Sequence, residues 1–360
     1  MTKSLTRLAF LAATLLLARE VCAGTLTITR GGTYSGKYES ISIDTREPVV
    51  IENATLRGGG HLITSHYQHA NVTIRNVRGF GENPDVAGRS IGRFASLEGF
   101  DNVIIENCHL EATAGIYLLD YAGDRTKANA VRIISNRARN IDGRRSDGNG
   151  GYQTDAELVQ FAQLDKVRGV PGVVIAWNEV INHPDQSCVE DVISIYLSSG
   201  TKQSPIRIHD NFIRGAYPMP AAIAAFSGGG IMLGDGVADE GPAGDPGFVH
   251  AYDNIVLDTV NYGIATSAGH DCQIYRNRVL SAGVTADGKT IAAQNVGIYV
   301  WDSCRAGKKR FANNVGRNNL VGWVNKDGRN DVWSPHAAAW ENNEHWPADL
   351  TVETYDAAWE

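Results

Sequence analysis

Apolar and polar residues alternate in short runs along most of this chain, and many of the runs end in an asparagine. Asn71-Val-Thr-Ile-Arg-Asn76, Asn102-Val-Ile-Ile-Glu-Asn107, Pro205-Ile-Arg-Ile-His-Asp-Asn211 and Asp271-Cys-Gln-Ile-Tyr-Arg-Asn277 carry the phrase. A period of two is the mark of a strand with one buried face. The phrase recurs at Asn53, Asn76, Asn107, Asn136, Asn178, Asn211, Asn254, Asn277, Asn314 and Asn343, with gaps of 23 to 43 residues. The shortest gap measures one bare coil, and the excess is inserted loop. A second strand type follows several of the asparagines: Gly115-Ile-Tyr-Leu-Leu, Gly230-Ile-Met-Leu-Gly, Gly263-Ile-Ala-Thr-Ser and Gly297-Ile-Tyr-Val-Trp. Short strands repeated at this spacing predict an all-β solenoid of about ten stacked coils. Asparagine suits the corners because it tolerates positive φ. Its amide can also bond to the same residue one coil away. Asn-Gly and Asp-Gly hairpin signals do not punctuate the strands, which argues against an antiparallel barrel.

On these repeats the chain resembles the single-stranded right-handed parallel β-helix proteins of the pectin-lyase-like superfamily, over roughly residues 25 to 345. The resemblance implies a fold more than a function, because such folds carry lyases, hydrolases, epimerases and adhesins. The division expected is a signal peptide at 1–23, the β-helix at 24–345 and a short C-terminal cap or tail at 346–360. Lys3 and Arg7 followed by the apolar run Leu8 to Ala18 and by Val21-Cys22-Ala23 read as an export signal too short to span a bilayer. The protein is therefore expected to be secreted or periplasmic, without membrane insertion, and monomeric. Its formal charge is −7 for the whole chain. This acidity argues against nucleic acid as a partner and leaves a polysaccharide open. Export permits disulfides; Cys272 and Cys304, each shortly after a Gly-Ile strand, are the pair expected.

Alternation also assigns an outward face. In the Gly-Ile strands the isoleucine points in, so Tyr117, Tyr196, Met232, Tyr299 and Trp301 point out, and flat aromatic faces suit sugar rings. The same strands end in acids, among them Asp120, Asp165, Asp235 and Asp302, and one begins with Glu190-Asp191. Coils stacked at about 4.8 Å bring such acids together. Close carboxylates raise one another's pKa, so one stays protonated while another ionises. That is the pairing glycosidases use.

The window Cys188-Val-Glu-Asp-Val-Ile-Ser-Ile-Tyr-Leu-Ser-Ser-Gly-Thr201 resembles a polygalacturonase segment. The resemblance gives Asp191 the role of general acid, with Glu190 beside it. Gln153-Thr154-Asp155 looks like a variant of the family's Asn-Thr-Asp motif and makes Asp155 the partner base. Ser227-Gly-Gly-Gly-Ile-Met-Leu-Gly234 looks like its Gly-His-Gly segment, with Gly229 where the histidine should stand. A histidine appears one coil later, at His270. The reaction expected is cleavage of an acidic exopolysaccharide or pectin-like glycan, hydrolysis by paired carboxylates being slightly favoured. The second carboxylate would be Asp155, Glu190 or Asp235. A lyase is the alternative. It would draw on Lys202, Arg207, His209 and Arg214, or on Tyr196 with His270, to remove a proton and steady the enolate. Lys202 and Arg207 are also candidate substrate contacts. A non-catalytic glycan-binding matrix or surface protein is the third reading. No cofactor is required; Asp120 with Asp124, or Asp235 with Asp239 and Glu240, would admit calcium.

Overall fold

The computed structural model describes residues 22–127, 130–292, 295–347 and 349–357. The export-signal reading rests on residues 1–21, which lie outside the described residues, and on Cys22 and Ala23. The strands form a parallel β-helix with three strands in each full coil. One stack, the site sheet, runs Ile63–His66, Ala95–Phe100, Ile116–Tyr121, Ala162–Asp165, Asp191–Tyr196, Gly229–Asp235, Tyr262–Thr266, Val296–Val300, Val332–Trp333, every neighbour parallel. A second stack, the ladder sheet, runs from Gly32–Ile43 and Val49–Gly58 to Ala339–Glu341. The third runs from Arg78–Gly81 to Glu344–His345. The inward residues of all three, such as Ile193 and Ile231 of the site sheet, Ile133 and Ile208 of the ladder sheet and Val180 and Ile213 of the third, join one continuous core.

Both reasons for asparagine at the corner operate. Asn76 and Asn107 combine positive φ with a coil-to-coil bond, Asn107 Nδ2 donating to Asn76 Oδ1 at 2.5 Å, whereas later coils divide the two roles between adjacent residues. In the early coils Asn53, Asn76 and Asn107 themselves hold φ near +50°. From the fourth coil on, the residue before the asparagine takes that conformation: Ser135, Trp177, Asp210, Asp253, Arg276, Asn318 and Asn342. The asparagine that follows turns inward and builds a ladder. Nδ2 of Asn136 donates to Oδ1 of Asn178 at 3.0 Å, Asn178 to Asn211 at 2.9 Å, and Asn211 to Asn254 at 2.9 Å. Asn254 continues to Asn277 at 2.9 Å, Asn277 to Asn319 at 3.0 Å, and Asn319 to Asn343 at 2.8 Å. Each backbone N–H donates to the same oxygen, as from Asn178 to Asn211 at 3.1 Å.

Two positions differ from the repeat read in the sequence. Asn319 and not Asn314 continues the ladder; Asn314 instead accepts from the Cys272 amide at another corner. Cys108 and not Asn107 occupies the ladder position of its coil, its amide donating to Asn136 Oδ1 at 2.9 Å. Asn211→Ala removes the acceptor of two buried donors and the donor to Ile175 O. Buried polar groups left unpaired cost about 1–3 kcal/mol each. The variant is expected to unfold at clearly lower urea with an unchanged slope, by at least about 2 kcal/mol.

The disulfide expected between Cys272 and Cys304 is not formed, and the five cysteines are free. Cys272 points into the core. Cys304 lies on the outer side, its thiol donating to Asp235 Oδ1 at 3.5 Å. Residues on opposite sides of the sheet cannot bring their Cβ atoms into disulfide range. In the C-terminal segment, Leu350 and Tyr355 pack with Leu257 and Leu280 on the outer face of the third sheet. The Tyr355 hydroxyl donates to Asp258, and Arg214 pairs with both Asp258 and Asp356, at 3.2 and 3.1 Å. Among the described residues, no helix is long and apolar enough to cross a membrane.

Candidate functional site

A cleft of about 740 Å³ opens on the outer face of the site sheet toward its C-terminal coils. Register explains its floor. Ser194, Met232, Ala265, Tyr299 and Trp333 stand in neighbouring strands at matched positions. Met232, Tyr299 and Trp333 line the cleft, with Trp301 and Phe226 on its walls. Phe226 is 85% exposed and Trp333 is 53% exposed. Large apolar side chains held open to solvent in one hollow mark a binding surface.

Glu190, Asp191 and Asp235 reach the same cleft. Asp191 opens its strand and Asp235 closes the next one, so the two acids flank the floor from opposite ends. Asp191 is only 6% exposed. Burial pushes its carboxyl well above the ordinary carboxylate range, and the charge of Glu190 adds to the effect; a hydrogen bond from Tyr262 opposes it. Glu190 is also raised, chiefly by burial and further by Asp235. The Asp235 carboxylate accepts from the Gly236 amide at 2.8 Å.

Tyr262 was not among the residues singled out in the sequence. It sits two coils beyond Asp191, and its hydroxyl donates to Asp191 Oδ1. Gly229 lies between them, opposite Asp191 in register. A Cβ at Gly229 would fall 2.3 Å from Tyr262 Cζ and 2.4 Å from Asp191 Oδ1. The bare glycine is therefore the gap through which the tyrosine reaches the acid. Burial, then the charge of Asp191, pushes the Tyr262 phenol well up, so it stays a donor. Tyr299 is raised in the same direction by burial, and its hydroxyl shares a 2.6 Å hydrogen bond with Ser267. The two rings meet edge to face at 5.1 Å.

Of the residues expected to act, Glu190, Asp191, Asp235, Tyr299 and Trp301 come together here. Asp155 does not. It lies on Tyr152–Ala156, which pairs with Arg144–Ser146 as an antiparallel hairpin inserted between coils. There Asp155 pairs with Arg145 at 3.3 Å, its side chain 65% exposed. His270 is at the corner beyond the site sheet, bonded to Asp271 at 2.7 Å and packed over Gly247. Lys202 is in the exposed turn Thr201–Ser204. Arg207 is exposed on the ladder sheet, and Arg214 belongs to the third sheet. Tyr117 shares the face of the cleft but stands two coils before Asp191, and Tyr196 closes the Asp191 strand itself, in register with Asp235 but outside the lining. Tyr117 donates to Asp165 at 2.8 Å, and Tyr196 packs on Gly236.

Three of the acids considered for calcium have other partners. Asp120 accepts from Tyr67 at 2.9 Å, Asp124 from Thr126 at 2.7 Å, and Glu240 pairs with Arg168. Among the described residues, no group of three His, Cys, Asp or Glu side chains is placed to hold a metal ion. The long loop 234–247 is tied down rather than loose, since Arg310 donates to Asp245 at 2.6 Å and to Ala238 O at 2.7 Å.

No family model matches the chain, and no curated protein matches it. Among solved structures, the A-module of the mannuronan C-5 epimerase AlgE4 of Azotobacter vinelandii is similar at 10% identity. The likeness covers 89% of this chain and 86% of that one, with a TM-score of 0.33. The assignment to a parallel β-helix rests on the strand pairing itself, and the chemistry rests on the cleft.

Proposed function

We propose that the protein is an exported glycan-cleaving enzyme that hydrolyses a polysaccharide, with Asp191 as general acid. The observation that carries this reading is a carboxyl buried at the edge of an aromatic cleft, where burial pushes its pKa upward, with Glu190 and Asp235 in the same cleft. General acid catalysis needs a proton donor still loaded near neutral pH. Burial, and after it the charge of Glu190, favours the protonated form of Asp191, and Tyr262 holds Oδ1 of that carboxyl in place. Asp235, at the opposite end of the floor, takes the role of the base that activates water. A sugar ring would rest on Met232 and Tyr299 between the two acids, against Trp301 and Trp333. Arg329, lining the rim and paired with Asp331 at 2.8 Å, would face the carboxylate of an acidic sugar.

Elimination is disfavoured by the same geometry. Tyr262 and Tyr299 are the phenols in reach, and burial keeps both protonated. Hydrolysis and elimination differ in product. Incubation with acidic polysaccharides is expected to release new reducing ends without the ultraviolet absorbance of an unsaturated uronate. Appearance of that absorbance would overturn hydrolysis in favour of a lyase, and neither signal across the panel would favour a binding protein.

A further inference from the structure

Two further hollows lie along the helix axis from the cleft toward the N-terminus. The first, about 180 Å³, is bounded by Thr154, Leu158, Pro218 and Ser227 and adjoins the cleft at Glu190. The second, about 360 Å³, adjoins the first at Glu157 and is lined by Gly60, His61, Arg89 and Arg145. Both follow the corner that leads into the site sheet. His61 and Gly92 precede the strands Ile63–His66 and Ala95–Phe100, which lie four and three coils before Asp191–Tyr196. At about 4.8 Å per coil, the far hollow is roughly 14–19 Å from Glu190.

We propose that the three hollows are one groove, and that the far hollow is a distal binding site for the acidic polysaccharide chain whose bond is cut at Asp191. This rests on the reading of the cleft as a glycan-cleaving site. Charge changes along the groove. Acids predominate at the cleft, where Arg329 is the lining cation, whereas Arg89 and Arg145 stand at the far end with Glu157. Arg145 is occupied with Asp155 and Glu157, at 3.3 and 3.5 Å. Arg89 is exposed beside it and supplies the cation for a sugar carboxylate. Gly60 marks the open floor. Its φ is not positive, it is exposed, and a Cβ there would meet no atom within 4 Å. Neither backbone conformation nor packing calls for glycine at this position. Its effect is to leave the hollow empty. The inserted hairpin that carries Asp155 thereby gains a part in binding, as the wall between the first and last hollows.

A groove of this length predicts that affinity rises with chain length until the chain reaches Gly60. The probe is a series of homogalacturonan fragments of increasing length, titrated into Asp191→Asn protein so that nothing is cut. Affinity is expected to climb and then level off. In the same background, Gly60→Leu and Arg89→Glu should each lower the affinity of the longest fragments at least about tenfold, a loss of about 1.4 kcal/mol. The shortest fragments should bind as before, which also shows that the variants fold. Affinity independent of length overturns the groove, as does equal weakening of short and long fragments or no binding at all. Length-dependent binding of fragments that the wild-type protein leaves uncut would instead sink the catalytic reading and leave the groove standing.

Discussion

Asp191→Asn is expected to lower glycan cleavage by about 10²–10⁴-fold, the contribution of a positioned acid, while leaving the fold intact. Asparagine keeps the oxygen that accepts from Tyr262 but has no proton to give. The same variant makes an opposite prediction for stability. In the folded protein, burial and Glu190 raise the Asp191 carboxyl well above its usual range. In the unfolded chain it titrates near about 3.9. As pH rises past that value, the unfolded chain sheds its proton first. The stabilisation of the protonated acid is therefore full below about pH 4 and is lost as pH climbs toward the folded pKa. Asparagine does not titrate, so the variant escapes this loss. Urea unfolding should find it close to wild type at pH 4 and at least as stable at pH 7. Loss of activity with that stability pattern identifies a group strained for its task. Near-wild-type cleavage would remove Asp191 from the reaction.

Fold and site were legible to different depths, for physical reasons. Coil count and outward face follow from alternation, which is local, and Ile193, Ile231 and Ile264 point inward as read. The acids at strand ends were also visible, because register carries matched strand positions from coil to coil. What failed was inference across insertions. Asp155 was placed beside Asp191 on the strength of a motif, but residues 144–156 leave the coil to form a hairpin. The coil neighbour resumes at Gln160, two residues before Ala162, which pairs with Ile193. His270 was read as a stand-in for the histidine missing at Gly229 because it appears one coil later, yet by then the chain has turned the corner out of the site sheet. The cysteine pair failed for a simpler reason. Sequence spacing says that two residues are near in coil number, not that they lie on the same side of the sheet. Tyr262 escaped notice because outward residues were counted after each isoleucine and not before the glycine. The informative signal was the triple glycine at 228–230, where an absent side chain makes room for one from the next coil.

That gap yields the second large effect. Gly229→Ala is expected to cut activity by about 10²-fold, the cost of displacing a catalytic group by about 1 Å. The new methyl would overlap both Tyr262 Cζ and Asp191 Oδ1, each buried and unable to withdraw. Overpacking of this kind also costs about 1–3 kcal/mol of stability. The position is the one at which the polygalacturonase resemblance calls for histidine, and a ring there would fill the path that Tyr262 crosses. A histidine in that place and a tyrosine one coil further on are thus mutually exclusive ways to contact the acid. Tyr262→Phe separates steric from chemical effects, because it deletes the hydroxyl and adds no atom. If both variants act by breaking the Tyr262–Asp191 bond, the double variant should be little worse than Gly229→Ala alone, since groups sharing one interaction are not additive. Activity losses that simply multiply would mean that the two residues act independently, and Tyr262 would then have no part in orienting Asp191.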